Sequence, residues 1–422
     1  MGFDLTDTER AALVALRANG LPPIARRAAV ILLSGDGQSA PAIARDVGLS
    51  VSTVYYWRRE WSERRMDIFR EAALPESAAS PAAEEIASPP EPEAQPGVSA
   101  PRLPLELREA VGMLPNDAMA EAGRKALHFN FERMLLHEPV ARLGADIEGV
   151  HDMRVATRRM RSAFRLFGPF FDPQAIRPLL RGLRRTATAL GEVRDLDVFR
   201  EKAGQFVTRN PGTDLTPLFT TWQADYDAAR AALIEALNAP RFARFVERLH
   251  GFVTTPGAGA LPIQRGDGIG AYQVRHVAPR LIYEHYERVR AYEALVDSAP
   301  IATLHALRID FKRLRYAMEF FEEVLGPEVK LVIKEIKTMQ DHLGDLNDTS
   351  VAAQVLDGFI TAQRDTHSGV PQFLRPDISG VLAYADFQAA EQQRLLDTFA
   401  EAWANFNREE VRRSLALAVS VL

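Results

Sequence analysis

The sequence predicts an all-α protein in which a small helix-turn-helix domain precedes a duplicated helical domain. Three observations carry this prediction. Apolar residues recur at helical spacing along most of the chain, an arginine-rich segment occurs twice, and a proline-rich stretch separates the first 73 residues from the rest. We expect a first domain at 1–73, a linker at 74–104 and a helical domain at 105–422, with halves at about 110–255 and 271–415.

Composition limits the classes of protein that the chain can belong to. Its 422 residues are 47% hydrophobic and include no cysteine, which excludes disulfide scaffolds and thiolate metal sites. No apolar run reaches the roughly 20 residues that span a bilayer, and the first residues do not resemble a signal peptide. We therefore expect a cytoplasmic protein without a membrane partner.

The net charge of −5 conceals a strongly basic segment. Residues 150–188 hold nine arginines against two acids, Asp152 and Asp172, a local balance of +7. For a polyanionic partner this local field matters more than the total charge.

In the first domain, Thr6 or Asp7 is placed to cap a helix, and Ala44, Gly48 and Val54 have the spacing of a helix-turn-helix. The segment resembles the homeodomain-like helix-turn-helix of transposases and small regulators. That resemblance makes 51–59 the recognition helix. The candidate DNA-binding residues are Ser52, Thr53, Tyr56, Arg58 and Arg59.

The alternative for the first domain is a three-helix module that serves protein contacts. Residues 1–74 carry ten arginines against nine acids, a thin electrostatic footprint for a domain that binds DNA alone. The segment that follows, 75–104, contains eight prolines and no aromatic residue. Because it cannot bury enough apolar surface to offset its ordering entropy, we expect a flexible linker there.

From residue 105 onward the pattern is helical. Asn116 or Asp117 is placed to cap a helix that runs to about His137, and a connection through Pro139 and Gly144 precedes the next helix. Glycines at 191 and 344 predict helix ends there. The helices predicted after Gly144 are 151–167, 173–189, 193–207, 213–238, 240–253, 271–295, 301–325, 328–343, 345–363 and 378–407. The glycine-rich loop 254–270 follows no strand and has no P-loop lysine, so we interpret it as a linker.

The arginine-rich segment at 151–167, HDMRVATRRMRSAFRLF, returns at 305–321 as HALRIDFKRLRYAMEFF. At 100° per residue, Arg154, Arg158, Arg161 and Arg165 fall within about 60° of one another, and the stripe from 151 to 165 is about 21 Å long. The similarity continues beyond the helix, since LGEVRDLDV at 190–198 returns as LGDLNDTSV at 343–351. A duplication of this kind brings several basic stripes together if the halves are related by a twofold axis.

A basic stripe is commonly only a solvated helix face, which predicts acidic residues at i±3 or i±4. The first copy has none except Asp152 at its start, whereas in the second copy Glu319 takes the place of Arg165. We therefore expect the second half to bind an anion more weakly. Arg159 and Arg313 lie off the main stripe and suit either the surface or an ion pair.

A divalent-metal site is the other chemistry that these segments could support. It would use His151, His305, Asp195, Asp197, Asp345 and Asp348. No histidine pair has i, i+4 spacing and many cations lie close by, so a metal site is disfavoured. We expect Asp195 and Asp348 to orient arginines or to cap the next helix.

The two segments with their continuations resemble the two halves of a CHAD domain, the conserved histidine α-helical domain, over roughly 110–415. The resemblance implies two four-helix bundles related by pseudo-twofold symmetry, with a basic groove that binds inorganic polyphosphate. It also suggests targeting to polyphosphate granules. Family members are often fused to triphosphate tunnel enzymes, but this chain has no such strand-rich module, so that catalysis does not transfer.

We expect polyphosphate binding without catalysis and without a cofactor. Rows of Arg and Lys that lack interleaved aromatic residues suit a chain of phosphates better than a nucleic acid. The predicted contacts are His151, Arg154, Arg158, Arg161, Arg165, Arg177, Arg181, Arg184, His305, Arg308, Lys312, Arg315, Lys330, Lys334 and Lys337. Two alternatives stay open: a DNA-binding regulator whose helical domain senses a polyanion, and a metal-dependent phosphohydrolase acting on polyphosphate or a nucleotide.

Overall fold

The computed structural model describes residues 5–19, 22–47, 54, 57–58, 61, 65–72, 107–144, 147–262 and 272–422. The chain divides into two compact units, one formed by Met1–Pro96 with Glu138–Val150 and the other by Gly97–His137 with His151–Leu422. The predicted linker at 74–104 lies outside the described residues, and the domain boundaries stay predictions.

Three helices are described in full in the N-terminal region: α1 (Asp7–Asn19), α2 (Pro22–Gly35) and α3 (Ala40–Val47). Thr6 caps α1 as predicted, because its hydroxyl accepts from the Glu9 amide at 3.3 Å while the Glu9 carboxylate accepts from the Thr6 amide at 2.9 Å. These helices surround a buried apolar core that includes Trp57 and Trp61.

Arg58 is the one candidate DNA contact that the structure describes in this region. Its guanidinium donates to the Ser34 hydroxyl at 2.9 Å and to the Gln38 carbonyl at 2.5 Å, so this side chain is held by the domain itself. The other four candidates, Ser52, Thr53, Tyr56 and Arg59, lie outside the described residues.

The all-α architecture is confirmed for the rest of the chain, where the described residues form no strand beyond two isolated bridging pairs. The helices are α4 (Met119–Leu143), α5 (Ile147–Phe167), α6 (Pro173–Arg209), α7 (Thr216–Asn238), α8 (Pro240–Thr254), α9 (Val274–Arg290), α10 (Ile301–Phe321), α11 (Val329–Thr366), α12 (Ser379–Asp397), α13 (Phe399–Phe406) and α14 (Glu409–Val419). The order of elements repeats, since α5, α6 and α7 correspond to α10, α11 and α12.

Three predicted helix ends fall inside continuous helices, and the predicted helix 378–407 is interrupted at Thr398, between α12 and α13. Helix α4 continues through Pro139 to Leu143, and α6 and α11 run without a break through Gly191 and Gly344. A glycine inside a helix costs only about 1 kcal/mol relative to alanine, which packing along a helix of this length offsets. At Gly191 the small residue also has a neighbour, because a Cβ there would lie 3.9 Å from Arg154 Nε.

The long helices α6 and α11 connect the two halves of the second unit. Beyond their middles they pack with α7 and α12 around a buried cluster that includes Phe206, Trp222, Leu356 and Tyr384. The repeat helices meet at their C-terminal ends, where the Phe167 ring lies 5.7 Å from that of Phe321. Both rings are fully buried, so this contact fixes α5 against α10.

No described helix is both long and apolar enough to cross a membrane.

Candidate functional site

The basic stripes of the two repeat helices meet around one lysine. The charges that act on Lys312 come from Arg154 and Arg158 on α5 and from Arg308 and Arg315 on its own helix, α10. Arg194 on α6 acts in turn on Arg154. We name these six residues the central basic cluster: Arg154, Arg158, Arg194, Arg308, Lys312 and Arg315.

Burial and nearby like charges lower the pKa of Lys312. Burial, together with the four arginines around it, lowers the pKa of Lys312 to about 8 from an ordinary value near 10.5. A lysine held among four guanidiniums is stabilised by any anion that enters the cluster. The cluster therefore favours binding of a polyanion at neutral pH.

Asp195 is the acid closest to this cluster. Its carboxylate pairs with the Arg154 guanidinium at 3.3 Å, while burial lowers the pKa of Arg154. Burial and the charge of Asp348 raise the pKa of Asp195, so the corresponding acids of the two halves lie close together. The prediction that Asp195 orients an arginine is confirmed.

Asp348 pairs instead with Lys202, at 2.7 Å. The alternative that these two acids cap a following helix is wrong, because both lie inside the continuous helices α6 and α11.

Each repeat histidine lies beside the same position of the long helix that follows it. Burial, and next the Arg194 charge, lower the pKa of His151 to about 4, so its imidazole is neutral at pH 7. His305 Nδ1 lies 2.9 Å from the Asn347 amide oxygen. A neutral His151 therefore does not extend the positive stripe.

Arg194 was missed as a site residue because the helix end predicted at Gly191 placed it in a separate helix, 193–207, from the basic residues of 173–189. The signal was present in the repeat, since LGEVRDLDV aligned with LGDLNDTSV places Arg194 opposite Asn347. The structure shows that this is the position next to the histidine in both halves.

Several donors near the cluster are buried without an acceptor. Among the described residues, Arg158 Nε, Arg194 Nη1, Arg315 Nε and the Tyr316 hydroxyl make no hydrogen bond. Tyr316 belongs to this group because the centre of its ring lies 5.3 Å from the guanidinium carbon of Arg315. A buried donor without an acceptor costs about 1–3 kcal/mol, and the oxygen atoms of a bound anion would satisfy it.

Glu319 closes one end of the cluster. Its carboxylate lies 2.6 Å from Arg159 on the other repeat helix, 3.9 Å from Arg315 and 3.9 Å from Lys337. The side chain is only 8% exposed. The acid that replaces Arg165 in the second copy thus neutralises cations from both halves, and the ion-pair interpretation of Arg159 is confirmed.

The other predicted cations lie outside the central basic cluster. Arg161 and Arg165 are exposed toward the C-terminal end of α5, and Lys330, Lys334 and Lys337 follow one exposed face of α11. Arg177, Arg181 and Arg184 are also exposed on α6, where Arg181 lines a cleft between α6 and α8. Of the thirteen predicted Arg and Lys contacts, the described chain gives a carboxylate partner to three: Arg154, Arg315 and Lys337.

The candidate metal ligands do not assemble into a site. Within the described ranges, no group of three or more His, Asp or Glu side chains is placed to hold a metal ion.

Comparison with known proteins identifies both parts of the chain. A family model described as CHAD domain matches residues 125–357, which is more than half of the chain, and one described as Homeodomain-like domain matches residues 22–67. No curated protein matches the chain.

Two solved structures share the fold. The crystal structure of the CHAD domain from the plant Ricinus communis is 23% identical with a TM-score of 0.50, and covers 74% of this chain and 96% of its own. PptA from Streptomyces chartreusis is 17% identical with a TM-score of 0.50, and covers 68% of this chain and 100% of its own.

Proposed function

Because the chain belongs to the CHAD domain family, we propose that it binds inorganic polyphosphate at the central basic cluster and along the exposed cations that continue it. The proposal is binding without chemical turnover. The central cluster takes the innermost phosphates, and the cations of α5, α6 and α11 hold the chain as it leaves.

The observation that carries the proposal is the convergence of two repeat helices on Lys312. Arg154 and Arg158 from α5 and Arg308 and Arg315 from α10 surround the Lys312 amine, whose pKa is lowered to about 8 by burial and then by these four charges. Four buried donors nearby lack acceptors within the described chain. A ligand that supplies several negative oxygens satisfies both the charges and the donors.

Polyphosphate fits this surface better than a single small anion does. It carries about one charge per phosphate, so a row of guanidinium and ammonium groups matches its repeat, and the arginine forks bind phosphate oxygens in pairs. The cations extend from the cluster to Arg161 and Arg165 along α5 and to Lys330 and Lys334 along α11, which suits an extended chain.

Isothermal titration of the full chain with long-chain polyphosphate tests the proposal. We expect tight binding that weakens steeply as the salt concentration rises from about 0.05 M to about 0.5 M, because ions screen exposed charges. Absence of binding at low salt would refute the function.

Turnover is tested separately by phosphate release from polyphosphate and from a nucleotide under Mg²⁺ and under Mn²⁺. We expect none above the rate without protein. Release that depends on either metal would favour the phosphohydrolase instead.

The same binding would retain the protein at polyphosphate granules. We expect a fluorescent fusion to localise with granules in cells that store polyphosphate, and to become diffuse when polyphosphate synthesis is blocked.

The match of residues 22–67 to a homeodomain-like domain favours a second function, DNA binding by the N-terminal unit. Because the central cluster would also attract DNA nonspecifically, this function is tested with Arg158→Glu/Lys312→Glu in the full chain. If that variant retains a DNA duplex of selected sequence, the result supports a DNA-binding regulator. If adding polyphosphate changes DNA binding by the unmodified chain, the result supports sensing of the polyanion.

A further inference from the structure

A second basic site lies between α6 and α8. A cleft of about 260 Å³ separates the two helices, and Pro178, Leu179, Gly182 and Phe245 form its apolar lining. Five arginines also line it: Arg181, Arg185, Arg241, Arg244 and Arg248. Four of these five played no part in the proposed polyphosphate site.

The charges of this cleft are uncompensated. The residues that line it include no carboxylate, and no carboxylate in the described chain lies within ion-pair distance of any of the five arginines. Arginine on two facing helices presents planar donor forks to the same small volume, which is the geometry that phosphate groups bind best.

Close packing fixes the shape of the cleft. A Cβ at Gly182 would lie 2.1 Å from the Phe245 ring, so only glycine lets α8 approach α6 this closely. Phe245 and Leu179 are buried, and the arginines therefore extend from a rigid apolar base. The packed base fixes where the backbones of these arginines lie, so less of the site must be ordered on binding.

A second cavity of about 340 Å³ adjoins the cleft. The two share Gly182, Arg185, Arg241 and Phe245, and the second adds the apolar side chains of Ala189, Leu237 and Phe242. It also adds Thr188 and Glu192, which offer hydrogen bonds to a polar edge. One end of the combined site suits phosphates, and the other suits an apolar or planar group.

This site lies on a different face of α6 from the central basic cluster. A Cβ at Gly191 would lie 3.9 Å from Arg154 Nε, and at 100° per residue Arg181 and Arg185 lie about 80° and about 120° around the helix from Gly191. A ligand in the cleft and a polyphosphate in the central cluster therefore contact different sides of α6.

We propose that the cleft between α6 and α8 binds a small phosphorylated metabolite of the nucleoside di- or triphosphate class. The five arginines hold the phosphates, and the adjoining cavity takes the base and the sugar. This site goes beyond the polyphosphate-binding function and does not depend on it.

The test titrates the full chain with ATP and with inorganic tripolyphosphate, using one variant of the exposed α8 arginines and one variant of the central basic cluster. We expect ATP to bind, and Arg241→Ala/Arg244→Ala/Arg248→Ala to weaken it by about tenfold or more. We also expect Arg158→Glu/Lys312→Glu to leave ATP affinity unchanged while it lowers polyphosphate affinity. Circular dichroism and thermal melting confirm that each variant is folded.

Three results would overturn the proposal: no ATP binding, ATP binding that the α8 variant leaves intact, or ATP binding lost only in the central-cluster variant. Tripolyphosphate that binds as tightly as ATP would overturn the role of the second cavity. Polyphosphate binding by the unmodified chain is measured alongside, so failure of this site is distinguishable from failure of the central one.

Discussion

The Glu319 carboxylate lies 2.6 Å from the Arg159 guanidinium, so an acid of the second repeat helix pairs with an arginine of the first. The same carboxylate lies 3.9 Å from Arg315 and from Lys337. Glu319 stands where the first repeat helix has Arg165, and it offsets cations of both halves. The two halves of the site are therefore unequal.

Neutralising this acid should strengthen polyphosphate binding. Glu319→Gln removes a buried negative charge beside three cations, and we expect affinity to rise about two- to fivefold, the size of a partly exposed charge pair. Titration calorimetry measures the affinity of each variant for polyphosphate. Glu322→Gln, which removes the same charge from an exposed side chain nearby, is the control. An equal gain in both variants would show that only net charge matters.

The imidazole of His151 should titrate well below an ordinary histidine. Burial and Arg194 lower its pKa to about 4, and NMR of the ring protons across pH measures this value. Arg194→Asn installs the residue type found at the corresponding Asn347, and we expect the pKa of His151 to rise. Arg185→Asn, on the exposed face of α6, should leave it unchanged. A pKa near 6.5 in the unmodified chain contradicts this assignment.

Polyphosphate affinity should fall as pH rises through about 8. The pKa of Lys312 is lowered to about 8 by burial and by Arg158, Arg308, Arg154 and Arg315. The free protein therefore loses this charge between neutral and alkaline pH, whereas bound phosphate favours the protonated amine. From about pH 7.5 to about pH 9.5 we expect a loss of about three- to tenfold in affinity.

Lys312→Arg keeps the charge at all these pH values and should remove most of that dependence. An unchanged pH profile in the variant would assign the effect to another group.

Gly182 should be needed for the packing of α8 on α6. Gly182→Ala places a Cβ against the Phe245 ring, and we expect it to cost about 1–3 kcal/mol of unfolding free energy. Gly204→Ala is the matched control on the same helix, because nothing lies within 4 Å of a Cβ there. The control should be neutral or stabilising by up to about 1 kcal/mol, and chemical denaturation compares the two.

The sequence predicted the fold well where local patterns decide it. Helical spacing of apolar residues predicted the all-α architecture, and the end of α5 at Gly168 was correct. Gly191 and Gly344 misled the assignment, because a mid-helix glycine carries a small penalty that tertiary packing offsets. A single helical pattern contains no information on that packing.

The basic stripes of the site were predictable from the sequence, but the contacts between side chains of different helices were not. The repeat indicated Arg154, Arg158, Arg308 and Lys312, which the structure brings together. The partners of Glu319 and the position of Arg194 beside His151 depend on how separate helices cross. The arginines of α8 were missed because that helix has no basic counterpart among the aligned segments.

The most direct test of the central claim compares two charge-reversal variants that change net charge equally. Arg158→Glu/Lys312→Glu alters the central basic cluster, whereas Arg209→Glu/Arg364→Glu alters exposed residues at the far ends of α6 and α11. In titrations with long-chain polyphosphate at one salt concentration, we predict that the first variant loses about 100-fold or more in affinity and the second less than about threefold. Equal losses in the two variants would contradict the assignment of the site to the central basic cluster.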